Sequence, residues 1–248
     1  MNEETTYIYG KHVVKEALTA RPDVVHTVYL TKENGDFFPE LKEYSWIAKR
    51  DLNPKKLPKG IPSDAVHQNI IAEIDVKKLV IDYDEFIRTY EVTNDTAFVL
   101  LGEVQDPQNV GAVIRSGAAF GIAGVLVPEH RQAQINGTVI KVSAGMAFRV
   151  PLIKIGNVNN TIKDLKERGF WAYGLVGGAE QSVHDEQFEK PSVLILGNEA
   201  TGIREKTLEH CDIPLRIPMA ERAESLNAAV AAGVVLYAWS TKHKRKLS

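Results

Sequence analysis

The sequence predicts an α/β protein whose larger, C-terminal part is a parallel sheet covered by helices on both faces. Three observations carry that prediction. From residue 96 onward, short apolar runs (TAFVLLG, GVLVP, RVPLIKI, FWAYGLV and SVLILG) lack the in–out alternation of a sheet with one wet face. Stretches of helical period separate these runs, the alternation that leads to parallel strand pairing. The texture also changes at residue 96: residues 76–95 are charged and only weakly helical, with Leu79, Phe86 and Ile87 as their larger apolar positions. They are read as a linker between a small α/β domain, residues 1–75, and a domain spanning 96–248.

The elements of the first domain follow in order. Val13, Val14, Ala17 and Leu18 give Gly10–Ala20 the stripe of a short amphipathic helix. VVHTVYL (24–30) is β-branched and strand-like, and ENGD (33–36) is a turn. A helix is expected after Pro39, then a basic, proline-containing loop over 47–60, then a strand at IIAEI (70–74).

Composition excludes several classes. A single cysteine allows neither an internal disulfide nor a cysteine-based zinc site. The seven histidines show no H-x₃-H or H-E-x-x-H spacing, so no metal site is expected. Cys211, in EHCD, reads as a small buried residue, not a nucleophile. No G-K-[ST] loop, no G-x-G-x-x-G after a strand and no G-x-S-x-G elbow occurs, which disfavours P-loop, nicotinamide, flavin and serine-hydrolase chemistry. The N-terminus lacks the pattern of a signal peptide, and no apolar run approaches the roughly 18 residues of a membrane span. A soluble, cytoplasmic protein is therefore expected.

The formal net charge of −2 gives no global attraction to nucleic acid, but charge is locally uneven. Residues 47–60 carry Lys49, Arg50, Lys55, Lys56 and Lys59 against Asp51 alone, and the tail adds Lys242, Lys244, Arg245 and Lys246. Such patches either engage phosphates or form a solvated loop and a frayed end.

Three stretches in the C-terminal domain hold candidate chemistry. In QDPQNVGAVIRSGAAFG (105–121), Asp106 suits an N-cap and Pro107 a first helical position. Val110, Val113, Ile114, Gly117 and Gly121 then form a buried stripe, with Arg115 opposite it among small neighbours. Three glycines within a helical pattern point to close packing or ligand approach. LGNEATG (196–202) is a strand-to-helix turn rich in backbone donors, with Glu199 at its centre. In AESLNAAVAAGVVLYAW (223–239), Ser225 is placed as N-cap and Asn227 in the first turn. Leu226, Val230, Val234 and Tyr237 are taken as the helix's apolar stripe. Ligands of parallel sheets gather beyond the carboxyl ends of strands, where the loops at 176–178, 197–202 and 217–219 lie.

The order and content of these stretches resemble the SpoU (TrmH) family of RNA 2′-O-ribose methyltransferases, within the SPOUT superfamily. DPQNVGAVIRSGAAFG is similar to the family's first motif, LGNEATG with IREKTLEHCDIPLRIPM to the second, and ESLNAAVAAGVVLY to the third. YIYGKHVVKEAL and HQNIIAEI resemble the substrate-binding domain, L30e-like, of bacterial 23S rRNA guanosine-2′-O-methyltransferases. Asn69 and Ala228 depart from the pattern, which usually has glycine and valine there, without removing a functional group.

The resemblance implies a SPOUT domain with a trefoil knot, S-adenosylmethionine as methyl donor, a homodimer, and RNA as substrate, with rRNA favoured over tRNA. It implies catalytic roles for Asn109, Arg115, Glu199, Ser225 and Asn227. Cofactor contacts fall on Val176, Gly177, Gly178, Leu196, Gly197, Asn198, Ile217, Pro218, Met219, Ser225 and Leu226. RNA contacts are assigned to Lys49, Arg50, Lys55, Lys56 and Lys59. The alternatives are a tRNA enzyme of the same family and, from another class, a non-catalytic RNA-binding or ribosome-assembly protein on this fold.

Overall fold

A computed structural model describes residues 5–34, 41, 43–223 and 225–243. Its strands are β1 (Thr5–Tyr9), β2 (Val25–Leu30), β3 (Ala48–Asp51), β4 (Ile70–Asp75), β5 (Val80–Asp82), β6 (Ala97–Leu101), β7 (Gly124–Pro128), β8 (Leu152–Ile155), β9 (Trp171–Leu175), β10 (Gln181–Ser182), β11 (Ser192–Leu196) and β12 (Ile213–Arg216). Its helices are α1 (Lys11–Ala20), α2 (Val76–Leu79), α3 (Tyr83–Thr89), α4 (Pro107–Ala119), α5 (Gly137–Val142), α6 (Val158–Glu167), α7 (Glu205–Leu208) and α8 (Ala228–Lys242). The chain divides into two compact units, Met1–Val80 with Gln134–Arg149, and Ile81–Ala133 with Val150–Ser248.

The first unit is a four-stranded sheet in the order β1-β4-β2-β3. β4 pairs antiparallel with β1 and β2, and the edge strand β3 lies parallel to β2. The anticipated stripe Val13, Val14, Ala17 and Leu18 is the buried face of α1. Residues 47–60 are not wholly the expected loop, because Ala48–Asp51 pair with Thr27–Leu30 as β3. Asn34 ends a short 3₁₀ turn; residues 35–40, the rest of the expected turn and the start of the expected helix, lie outside the described residues.

Residues 134–149, assigned from sequence to the second domain, belong to the first unit. The cause is a close backbone approach. Gly137 donates its N–H to Thr6 Oγ1 at 3.2 Å, and a Cβ there would collide with the Tyr7 carbonyl oxygen. Arg149 closes the segment with an ion pair to Glu16 at 2.6 Å.

In the second unit the sheet order is β10-β12-β9-β11-β6-β7-β8-β5, and every neighbouring pair from β10 to β8 is parallel. Buried apolar side chains fill β6, β7 and β11 on both faces, as the uninterrupted apolar runs anticipate. The segment read as a linker, 76–95, folds instead as α2, β5 and α3. Tyr83 and Ile87 are anchored in the core beside Phe98 and Ile153, so the weak helical period was one face of a packed helix. Among the described residues no helix is long and apolar enough to cross a membrane.

Candidate functional site

α4 begins as the sequence requires. Asp106 accepts the Gln108 N–H at 2.8 Å and Pro107 occupies the first turn. Its buried face includes Val110, Val113, Ile114 and Gly117. Gly121, anticipated on this stripe, lies beyond the helix with φ of 72°. Ile122 N–H bonds the Gly117 carbonyl and Gly121 N–H the Ala118 carbonyl, the paired bonds of a left-handed helix stop. A Cβ at Gly117 would strike the Ile122 side chain. Gly117 thus serves a tight contact and Gly121 a helix terminus.

The turn after β11 is closed reciprocally: Asn198 N–H bonds the Gly202 carbonyl at 3.0 Å, and Gly202 N–H returns to Asn198 at 2.9 Å. Asn198 Oδ1 accepts the N–H of Ala200 and Thr201, while its amide donates to the Glu103 carbonyl at 2.9 Å. Gly197 admits no side chain, since a Cβ would collide with the Gly202–Ile203 backbone. This folding presents Glu199 at the turn.

α8 starts differently from the expectation. Its N-cap is Asn227, whose Oδ1 accepts from Ala229 N at 2.9 Å and Val230 N at 3.3 Å; Ser225 lies exposed in the preceding loop. A cap must have non-helical backbone and an oxygen over the first turn, which Asn227 supplies two residues later than Ser225 would. The stripe expected to be buried is not. Leu226, Val230, Val234 and Tyr237 are exposed, and the core face is Ala232, Val235, Leu236 and Trp239. The helix is apolar around its circumference, so periodicity could not choose the inward face.

The three stretches meet in one hydrogen-bonded chain. Asn227 Nδ2 donates to Asn109 Oδ1 at 2.8 Å, and Asn109 Nδ2 donates to Glu199 Oε1 at 2.9 Å. Asn109 is buried, while Asn227 and Glu199 are exposed. Burial pushes the Glu199 carboxyl up, but the Asn109 amide and the backbone N–H groups of Glu199, Gln105 and Asp106 outweigh it and hold it below its ordinary range. A carboxylate so held is a good hydrogen-bond acceptor and a poor base. Arg115 stands outside this chain. It is exposed on α4, six residues or about 9 Å along the axis from Asn109.

Beside Glu199 a cavity of about 300 Å³ opens at the carboxyl ends of three adjacent strands, β12, β9 and β11. Of the residues expected at a cofactor, Val176, Gly177, Leu196, Gly197, Asn198, Ile217, Met219, Ser225 and Leu226 line it; Gly178 and Pro218 do not. Leu175, Ala200, Gly202, Leu215, Ala228 and Ala231, none of them marked in the sequence as a cofactor contact, line it as well. The first four continue the strands and turn already singled out, and the alanines form the first turns of α8. Cys211, expected to be buried, is only partly so, and burial, then Asp212, push its thiol up to about 12.

Residues 96–237 match the model of the SpoU rRNA Methylase family. The chain belongs to that family. Residues 7–79 match the model described as RNA 2′-O ribose methyltransferase substrate binding. Among relatives of this SpoU protein, one named 23S rRNA (guanosine-2′-O-)-methyltransferase RlmB, from Xanthomonas axonopodis pv. citri, is 36% identical over 96% of both chains. Another of that name, from Xylella fastidiosa strain Temecula1, is 38% identical over 96% of both. The fold matches the SpoU methyltransferase AviRb from Streptomyces viridochromogenes, solved with its cofactor AdoMet. The TM-score is 0.83 at 24% identity, covering 97% of this chain and 91% of that one.

Proposed function

We propose that this protein transfers a methyl group from S-adenosylmethionine to the ribose 2′-hydroxyl of a guanosine in 23S rRNA. The observation that carries this reading is the Asn227–Asn109–Glu199 chain at the edge of the cavity, in a SpoU-family chain whose RlmB relatives match it nearly end to end. The relatives named as 23S rRNA enzymes support rRNA over tRNA, and residues 7–79 match a model for RNA substrate binding.

The cavity suits the methyl donor. Its volume lies at the lower end of small-molecule sites. Leu175, Leu196, Leu215 and Ile217 offer an apolar bed for an adenine, and the backbone N–H groups of Gly197 and Ile217 donate to no other described residue. Gly177 leaves open space at the rim. When bound, the donor supplies an electrophilic methyl on a sulfonium, so the protein need only place the hydroxyl and ease its proton's departure.

Each residue then has a task. Glu199 accepts hydrogen bonds from donor or ribose hydroxyls, oriented by Asn109, which Asn227 orients in turn. Ser225 and Leu226 close the cavity from the side of α8, with Gly178 and Pro218 supporting its loops from outside. Arg115, whose guanidinium strongly resists deprotonation, clamps the adjoining phosphate and stabilises the developing 2′-oxyanion. Lys49, Arg50, Lys55, Lys56 and Lys59 are all exposed and engage RNA phosphates.

The reading includes a cytoplasmic homodimer and the knotted path implied by the family resemblance. Support for the dimer is the outer face of α8, where Val230, Val234 and Tyr237 recur at helical spacing and are 51%, 37% and 60% exposed. Isothermal titration tests the donor: S-adenosylmethionine binds and NAD does not. Binding of NAD alone would overturn the assignment.

A further inference from the structure

We propose that Trp46 is a stacking platform for an unpaired base of single-stranded RNA, with Lys49 and Arg50 holding the flanking phosphates; this rests on the RNA reading above. Large aromatic side chains are normally buried, and Trp239 of this chain is wholly so. Trp46 is 60% exposed. It is braced from one side by Tyr44, with ring centroids 5.1 Å apart and planes at 56°. Among the described residues Tyr44 is the one ring against the indole, and most of its surface is exposed.

The surroundings select the occupant. Two residues on, the chain enters β3, the sheet's edge strand, every residue of which is exposed. Lys49 and Arg50 lie three and four residues from Trp46, within about 14 Å of extended chain. Arg50 pairs in register with Tyr29, whose ring meets that of Tyr7 at 6.3 Å. Lys55, Lys56 and Lys59 add exposed positive charge, with Asp51 the single acid between residues 47 and 60. An aromatic face among cations suits a polyanion carrying π-faces, whereas an acidic protein would leave the indole unused. The RNA must be locally unpaired, because a base stacked within a duplex offers no free face.

The test uses the full chain, a single-stranded 12-nucleotide oligoribonucleotide and the same strand in a duplex. Binding should shield Trp46 from acrylamide quenching. Trp46→Leu should weaken binding of the single strand roughly ten-fold, whereas Trp46→Phe retains most of it. Lys49→Gln should lower the slope of log affinity against log salt by about one. Unchanged melting temperatures for these surface variants would place the loss in binding, not folding. Wild-type affinity in Trp46→Leu, or a duplex that competes as well as the single strand, would overturn the proposal. Failure of the methyltransferase reading is a separate result: no methyl transfer, with Trp46-dependent oligonucleotide binding intact.

Discussion

Asn227 and Asn109, 118 residues apart in sequence, are joined by a 2.8 Å hydrogen bond in which the Asn227 amide donates and the Asn109 carbonyl accepts. The same Asn227 caps α8 with its oxygen, so the start of that helix and the polar chain are set by one side chain. Asn109 passes the polarity on to Glu199.

Asn109→Ala removes the middle of the chain and strands two partners. Both partners are exposed and can turn to water, so the stability cost should be about 0.5–1.5 kcal/mol, read as a lowered midpoint of denaturation. Methyl transfer should fall about 100-fold, because a small misplacement of positioned groups costs that much. Asn109→Asp should not rescue it, since a carboxylate cannot donate to Glu199.

Glu199 sets a pH dependence whose sign is fixed. Its carboxyl is held below the ordinary range in the folded protein, so its contribution is complete above the unfolded value, about 4.5. It is lost as pH falls through the lower folded value. Donor affinity should therefore persist into mild acid in the wild type, and the acid limb should move upward in Asn109→Ala. Glu199→Gln should lose that limb. A pH series of S-adenosylmethionine titrations measures both.

Arg115 separates an electrostatic clamp from a base. Arg115→Lys should keep measurable turnover with weakened geometry, and Arg115→Ala should lose nearly all of it. Single-turnover kinetics on rRNA distinguishes the variants.

Gly197→Ala forces a methyl group into the Gly202–Ile203 backbone and must open the turn that carries Glu199. Donor affinity should drop by about ten-fold or more, with a loss of stability of about 1–3 kcal/mol for an overpacked site. Calorimetry of binding and unfolding reads the two effects.

On α8, Tyr237→Glu places a charge on the exposed apolar face. Sedimentation should show a dimer for the wild type and a monomer for this variant. A wild-type monomer would leave the face without its proposed partner.

Much of this was legible in the residues. The apolar runs of β6, β7 and β11 declared a sheet buried on both faces, and Asp106-Pro107 declared the start of α4. Asn109, Glu199 and Asn227 were singled out by chemistry and motif resemblance, though only folding brings them within hydrogen-bonding distance. Other features were hidden for physical reasons. α8 is apolar on all sides, so its sequence does not say which face turns inward. α5 joins the first unit through a backbone approach at Gly137, which no local pattern encodes. Tyr83 and Ile87 are too few to mark α3 as a packed helix until Phe98 stands beside them.

The most direct measurement is transfer of labelled methyl groups from S-adenosylmethionine to unmodified 23S rRNA and to tRNA, with the modified nucleotide mapped. The account predicts label on the 2′-oxygen of a guanosine in 23S rRNA, made by the wild type and nearly lost in Asn109→Ala. Label on a base, label confined to tRNA, or full activity in Asn109→Ala would contradict it.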